Sequence, residues 1–165
     1  MTNKRLMKLA LTAVLAALSF ILGWFLHIAM PGGYFTLLDI GIFTAAMLLG
    51  RGSGFFVGAV AGFLNDFLVG SPYMFFTLVA HGLQGFTGAL TKNKAVNYLL
   101  SAVSMVGIYF IADLVLNYTA KAGLLHAWAV ALPDLLINFV QTTVGYLVAL
   151  VLVKLLKKAG IEKWI

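Results

Sequence analysis

The chain has 165 residues, of which 62% are hydrophobic and only 10% are charged. A soluble domain carries about 25% charged residues, so this composition excludes an ordinary water-exposed globule and predicts a membrane protein. The net charge is +6, but the basic residues stand singly or in small groups at the ends of apolar runs, which is typical of membrane topology and not of a nucleic-acid interface.

Six apolar runs, bounded by charge, glycine or proline, are each interpreted as one membrane span. They cover residues 6–26, 37–50, 53–70, 73–91, 95–120 and 127–154. The first run follows basic residues as a signal peptide does, but it is long and we expect no soluble domain after it. The predicted fold is an all-α integral membrane protein in which residues 1–165 form a single six-transmembrane-helix bundle.

The orientation of the bundle follows from its basic residues. If the N-terminus is cytoplasmic, ten of the 11 Lys and Arg residues lie on the cytoplasmic side, and only Lys121 lies outside. Because cytoplasmic loops are enriched in Lys and Arg, this bias predicts that both termini are cytoplasmic. We expect a multi-pass protein of the prokaryotic cell membrane.

Small residues recur on two of the runs. Gly54, Gly58 and Gly62 lie four residues apart on the third run, which indicates close packing against another helix of the bundle. Ala13 and Ala17 form a similar patch on the first run. That patch either packs inside the bundle or is a face offered to another membrane protein, and the sequence leaves both alternatives open.

The connection between the first two runs, residues 27–36, lies on the outside. Pro31, Gly32 and Gly33 predict a bent, mobile segment, and Tyr34 and Phe35 add aromatic surface beside it. This segment is interpreted either as a lid over a polar cavity or as an ordinary loop with interfacial aromatic anchors.

Four aspartates fall in the outer half of the predicted bundle: Asp39, Asp66, Asp113 and Asp134. Charged groups are costly in hydrocarbon and usually face a cavity or a partner, so these residues predict a polar pocket that opens to the outside. For Asp39 and Asp134 the alternative is capping of a helix N-terminus.

Polar residues also recur at helical spacing on the last three runs, so that each helix carries one polar stripe. The stripes are Thr77, His81, Gln84 and Gly88; Tyr109, Asp113 and Asn117; and Asp134, Asn138, Gln141 and Gly145. One stripe would be explained by hydrogen bonds between helices, whereas three favour a solvated ligand site.

The sequence gives no indication of catalysis. It contains no Gly-x-Ser-x-Gly motif, no phosphate-binding loop and no His-Glu-x-x-His helix, and cysteine is absent. The three histidines fall on separate elements, so a metal site is not indicated. We expect a protein that is not an enzyme, that has no cofactor and that cannot use ATP by itself.

Several short features together resemble one family over nearly the whole chain. They are the basic N-terminus, Ala13-x-x-x-Ala17, Tyr-Phe-Thr-Leu-Leu-Asp at 34–39, Gly50, Asn-Asp at 65–66 and His-Gly-Leu-Gln-Gly at 81–85. The chain is similar to the substrate-binding S components of energy-coupling factor (ECF) vitamin transporters. The segment 34–88 looks most like the branch that carries hydroxymethylpyrimidine, pyridoxine and related thiamine-type precursors, near the riboflavin carriers.

This resemblance implies a six-helix bundle that binds a vitamin or its precursor near the outer face, with the first outer loop as lid. It also implies that Ala13 and Ala17 pack against a transmembrane coupling subunit of the EcfT type. That subunit would join the bundle to two cytoplasmic ATPases, and the bundle would topple in the membrane to release its substrate inside.

Charge suggests the class of substrate. The outer half holds four aspartates and no arginine, so it suits a neutral or weakly basic heteroaromatic better than an anionic vitamin. The ring could stack on Tyr34, Phe35 or Tyr109. The predicted polar contacts of the substrate are His81, Gln84, Asn138, Gln141, Asp113, Asp134 and Asn117.

Two other functions stay open. A self-sufficient small transporter or channel could use Asp113 and Asp134 as proton carriers and would need neither ATP nor partners. A structural membrane subunit would bind no small molecule, and its polar stripes would serve only to join helices.

Overall fold

The computed structural model describes residues 2–30, 33–120 and 123–163, and this part of the chain forms six α-helices. They are α1 (Thr2–Phe25), α2 (Asp39–Leu49), α3 (Arg51–Leu68), α4 (Met74–Thr87), α5 (Lys94–Thr119) and α6 (Leu124–Lys158), followed by a short 3-10 turn (Ile161–Lys163). Gly50 alone separates α2 from α3, and its φ of 93° lies in the region that glycine adopts without strain.

Three of these helices are long and apolar enough to cross a membrane, since the hydrocarbon core requires about 20 residues. They are α1, in which the apolar stretch is Lys4–Phe25, together with α5 and α6. The helix α2 is apolar but has only 11 residues. The predicted helical membrane protein is confirmed, whereas the number of spans, the single-domain organisation and the cytoplasmic termini stay predictions.

The basic residues gather at one end of the bundle. Lys8 of α1 lines the same cavity as Glu162 of the 3-10 turn, and the Arg51 guanidinium lies 5.4 Å from the ring of Phe86 at the end of α4. The start of α1, the start of α3 and the ends of α4 and α6 therefore lie together. Lys121, the one cation expected on the outside, lies outside the described residues.

The glycines of α3 bring its backbone against that of α4. A Cβ at Gly54 would overlap the carbonyl oxygen of Gly85, and a Cβ at Gly58 would overlap that of His81. A Cβ at Gly62 would lie 2.9 Å from side-chain atoms of His81 and Thr77. The prediction that this ladder serves internal packing is confirmed.

The alanines of α1 point in different directions. Ala16 is buried in the core beside Ile42 and Val57, whereas Ala13 and Ala17 are exposed on the surface of the described bundle. Ala13 and Ala17 therefore do not pack inside the bundle formed by the described residues, and a face offered to another membrane protein stays a prediction.

The connection between α1 and α2 contains a small antiparallel hairpin. Its strands are β1 (His27–Met30) and β2 (Gly33–Thr36), and His27 pairs with Thr36. No strand was predicted in this connection, and the hairpin departs from the all-α fold; aromatic and β-branched residues such as Ile28, Phe35 and Thr36 favour strands. The prediction of a bent segment rested on Pro31, Gly32 and Gly33. The first two lie outside the described residues, and Gly33 begins β2.

Candidate functional site

Asp39 lies at the centre of a buried hydrogen-bond network that joins α2, α4 and α6. Its two oxygens accept hydrogen bonds from Gln84 Nε2 at 2.8 Å and from Gln141 Nε2 at 3.4 Å. His81 Nδ1 lies 2.8 Å from Gln84 Oε1 and 3.5 Å from Asp39 Oδ1. The carboxylate thus contacts side chains of two other helices, and these contacts favour the pocket interpretation of Asp39 over capping of its own helix.

Two glycines allow these groups to meet. A Cβ at Gly145 of α6 would overlap the Cβ of Asp39, so only a glycine lets α2 approach α6 at this level. The contact of Gly58 with the backbone of His81 fixes the depth at which α4 presents its polar stripe. The network therefore depends on backbone packing as well as on its polar side chains.

A second chain of hydrogen bonds runs from α5 through α4 to α3. Tyr109 Oη donates to Thr77 Oγ1 at 2.9 Å, and Thr77 Oγ1 in turn donates to Asp66 Oδ2. The ring of Tyr109 lies 5.8 Å from the His81 ring in an edge-on arrangement. Through His81, this chain is continuous with the Asp39 network.

A third group lies where the turn before α4 approaches α5 and α6. Tyr73 Oη donates to Asp113 Oδ1 at 2.8 Å, and Asn138 Nδ2 donates to Asp134 Oδ2 at 2.6 Å. Because α6 begins at Leu124, Asp134 lies well inside the helix, and the interpretation of Asp134 as a cap is wrong.

The hairpin is attached to the Asp39 network. The backbone N–H of Thr36 donates to Gln141 Oε1 at 2.7 Å, so one side chain of α6 contacts both Asp39 and strand β2. Tyr34 is 61% exposed and packs edge-on against His27, with 5.5 Å between ring centroids. Phe35, its neighbour on the strand, is half-buried.

Two buried oxygens around these groups lack a hydrogen-bond partner among the described residues. They are Thr36 Oγ1 on the hairpin and Asp113 Oδ2 in the third group. A buried polar atom that stays unpaired costs about 1–3 kcal/mol, so each oxygen is a position where a donor from a ligand would be favourable.

The structure places most of the predicted site residues in these groups. The Asp39 network and the chain beside it contain His81, Gln84, Gln141 and Tyr109, and the third group contains Asp113, Asp134 and Asn138. Asn117 instead donates to the carbonyl oxygen of Asp113 in its own helix at 2.8 Å. The exposed ring of Tyr34 lies apart from the network.

The sequence did not identify every polar residue in these groups as a binding residue. Asp39 and Asp66 were recognised as membrane carboxylates and Thr77 as part of a stripe, but none was expected to contact a substrate. Thr142 accepts from Gln84 Nε2 at 3.3 Å, and its helical spacing from Asn138 and Gly145 on α6 could have suggested it. Tyr73 precedes α4 in a turn, where helical periodicity gives no signal.

None of the described parts of the chain, 2–30, 33–120 and 123–163, contains three or more His, Cys, Asp or Glu side chains placed to hold a metal ion. Within these residues, the groups around Asp39, Asp66 and Asp113 are arranged to donate and accept hydrogen bonds.

Comparison with known proteins identifies the family. The family model for the S component of the ECF-type riboflavin transporter matches residues 3–158. The chain belongs to this family. It is also 42% identical over 165 residues to the thiamine precursor transporter HmpT of Lactococcus lactis subsp. cremoris (strain MG1363), an alignment that covers 98% of this chain and 94% of the relative. The resemblance drawn from the sequence is confirmed, and the family is one of transporter subunits and not of enzymes.

Proposed function

We propose that this chain is the high-affinity substrate-binding subunit of an ECF-type ABC importer in the cell membrane. Its substrate is a neutral or weakly basic heteroaromatic thiamine precursor, such as hydroxymethylpyrimidine, or a pyridoxine-like compound. The main support is the buried network of Asp39, His81, Gln84 and Gln141 directly beneath the hairpin. The name of the Lactococcus relative supports the choice of a thiamine precursor over riboflavin.

The balance of donors and acceptors supports this substrate class. The groups around Asp39, Asp66 and Asp113 hold four carboxyl groups, and no Lys or Arg side chain of the described residues is hydrogen-bonded to them. An anionic vitamin would have to approach these acids without a cation to bind it. An amino group or a hydroxymethyl group supplies the hydrogen-bond donors that carboxylates need.

In this proposal the substrate takes over hydrogen bonds that the side chains now make with one another. Gln84 and Gln141 would exchange part of their contact with Asp39 for ring nitrogens of the substrate. Asp113 Oδ2 and Thr36 Oγ1, which lack partners among the described residues, would accept its donors. The Tyr109 ring, next to His81, is the aromatic surface best placed for stacking.

The proposed partners follow from family membership and from the exposure of two alanines. Ala13 and Ala17 leave a narrow, small-residue face on α1, against which a helix of the transmembrane coupling subunit could pack closely. Two cytoplasmic ATPases would then supply the energy that a bundle of this size lacks. We also propose the orientation in which the basic end is cytoplasmic.

The first test is mass spectrometry of the small molecules released by denaturing the purified protein. A stoichiometric pyrimidine or pyridine would support the proposal and name the substrate. If no compound is released, titration calorimetry with hydroxymethylpyrimidine, pyridoxine, thiamine and riboflavin follows. Failure of all four to bind would favour a structural subunit.

The site is tested with His81→Ala and Asn138→Ala, and with Thr143→Val as the matched control. Thr143 also lies on α6, but its hydroxyl bonds Tyr98 at 2.7 Å and not the proposed site. Each alanine variant should reduce the affinity for the substrate at least about tenfold, which is equivalent to about 1.4 kcal/mol. The control should keep the affinity of the unmodified protein. Unaltered affinity in both alanine variants would rule out this site.

Transport assays separate the proposal from a self-sufficient transporter. Liposomes that contain the chain alone should bind substrate without accumulating it. Accumulation should require the coupling subunit, the ATPases and ATP. Accumulation by the chain alone would contradict the proposal and favour proton-coupled transport through Asp113 and Asp134.

A further inference from the structure

A groove of about 510 Å³ opens between α1 and the first turns of α3. It lies at the basic end of the bundle, at the opposite end of α1 from the hairpin. Neither the Asp39 network nor the groups around Asp66 and Asp113 contribute to its walls. The groove is therefore separate from the proposed substrate site.

The groove combines two cations with an apolar wall. Arg5 and Lys8 line it, are exposed, and lie about one helical turn apart on α1. Leu9 follows on the same helix, and Phe56 of α3, which is 51% exposed, lines the other side. The residues described as lining the groove include no carboxylate, and Glu162, which shares a neighbouring cavity with Lys8, is paired with Lys157 at 2.8 Å.

The framework of the groove is fixed from within. Thr12 and Ser53 line it, are both buried, and join the two helices through a hydrogen bond of 3.0 Å. Gly52 also lines the groove, and a Cβ built at Gly52 meets no atom within 4 Å. The open volume therefore extends directly over the backbone of α3.

We propose that this groove binds one anionic phospholipid. Arg5 and Lys8 hold the phosphate, and an acyl chain lies along Leu9 and Phe56. Ala13 also lines the groove, so the lipid occupies this face in the chain without its coupling subunit. Cations at the end of an apolar groove on a membrane protein match a molecule with an anionic head and an apolar tail. A soluble phosphate would use only the cations, and an apolar helix would use only the wall. The inference does not depend on the proposed function.

The charge of the groove is tested by native mass spectrometry of the full chain with phosphatidylglycerol and with phosphatidylcholine of the same acyl chains. Phosphatidylglycerol should form a one-to-one complex that the double variant Arg5→Gln/Lys8→Gln weakens about tenfold or more. The matched control is Lys154→Gln/Lys158→Gln, which removes two exposed cations from α6 at the same end of the bundle. The control should change affinity less than about twofold. Equal effects of the two double variants, or equal binding of phosphatidylcholine, would overturn the proposal.

The volume of the groove is tested independently with Gly52→Leu. Its control is Gly107→Leu on α5, where a Cβ also meets no atom within 4 Å. Gly52→Leu should reduce phosphatidylglycerol binding about tenfold, and Gly107→Leu should leave it unchanged. Glycerol 3-phosphate, which has the head without the chains, should not compete. Full competition by glycerol 3-phosphate, or a groove occupied by a second copy of the chain in the lipid-free protein, would overturn the proposal. Gel filtration and helical circular dichroism confirm that each variant is folded.

Discussion

The two sides of α4 are held in opposite ways. On one side its backbone touches α3 through glycines, so that Gly58 meets the carbonyl of His81 with no side chain between them. On the other side Gln84 donates a hydrogen bond to Asp39 at 2.8 Å, and His81 Nδ1 lies 3.5 Å from the same carboxylate, to which Gln141 of α6 also donates at 3.4 Å. The glycine side leaves no room for rearrangement, whereas hydrogen bonds can change partners without moving a helix. The glycine contacts with α3 therefore fix the position of α4, while its hydrogen bonds on the opposite side can rearrange when a ligand binds.

The largest effect is expected from disturbing the glycine side. Gly58→Ala would place a Cβ against the backbone of His81, and backbone cannot move aside as a flexible side chain can. We expect a loss of about 2–3 kcal/mol in the free energy of unfolding, measured in mixed micelles by the helical circular dichroism signal.

The matched control for Gly58→Ala is Gly107→Ala on α5. Its Cβ would meet open space, and alanine is the better helix former by about 0.5–1 kcal/mol, so this change should be neutral or stabilising. If both variants lost the same stability, the tight contact between α3 and α4 would not be what holds α4 in place.

A smaller effect is expected from the polar side. Asp39→Asn keeps the shape but leaves one acceptor oxygen for the amide donors of Gln84 and Gln141. One buried donor then stays unpaired, and we expect a loss of about 1–2 kcal/mol in the free energy of unfolding. If the proposed site is correct, the affinity for the heteroaromatic substrate falls as well.

The control for Asp39→Asn is Glu162→Gln, the same change at an exposed acid whose only ion pair is with Lys157 at 2.8 Å among the described residues. It should change stability by no more than about 0.5 kcal/mol. A gain in stability for Asp39→Asn would show that burying the charge costs more than its hydrogen bonds contribute, and would contradict the view of this network as a stabilising one.

Periodicity within one helix was sufficient to predict the inward face of α4. His81 and Gln84 stand at helical spacing with Thr77, and all three are buried as that spacing predicts. The glycine ladder was equally local, because a small residue on every fourth position has one common structural use.

The central role of Asp39 was harder to predict, since it depends on contacts between distant parts of the chain. An aspartate at the start of a helix is typical of a cap. Its sequence neighbours do not show that Asp39 packs against α6 at Gly145, where a side chain would leave no room for it. The hairpin was missed for a related reason. Its attachment to Gln141 joins residues 105 positions apart, which no short pattern reveals.

The smallest effect on substrate affinity is expected at two tyrosines. Comparing them tests whether the substrate stacks beside the Asp39 network or against the hairpin. Tyr34 is 61% exposed and touches His27, whereas Tyr109 is hydrogen-bonded to Thr77 and lies beside His81. If stacking occurs within the network, Tyr109→Leu should weaken substrate binding by about 1 kcal/mol, or about fivefold, in titration calorimetry. Tyr34→Leu should change the affinity less than about twofold, because an exposed ring has little buried contact to lose. Tyr109→Phe keeps the ring and should retain most of the affinity.

The opposite order, with Tyr34 the more sensitive residue, would mean that the hairpin moves its aromatic face onto the substrate. The site would then have to include β2.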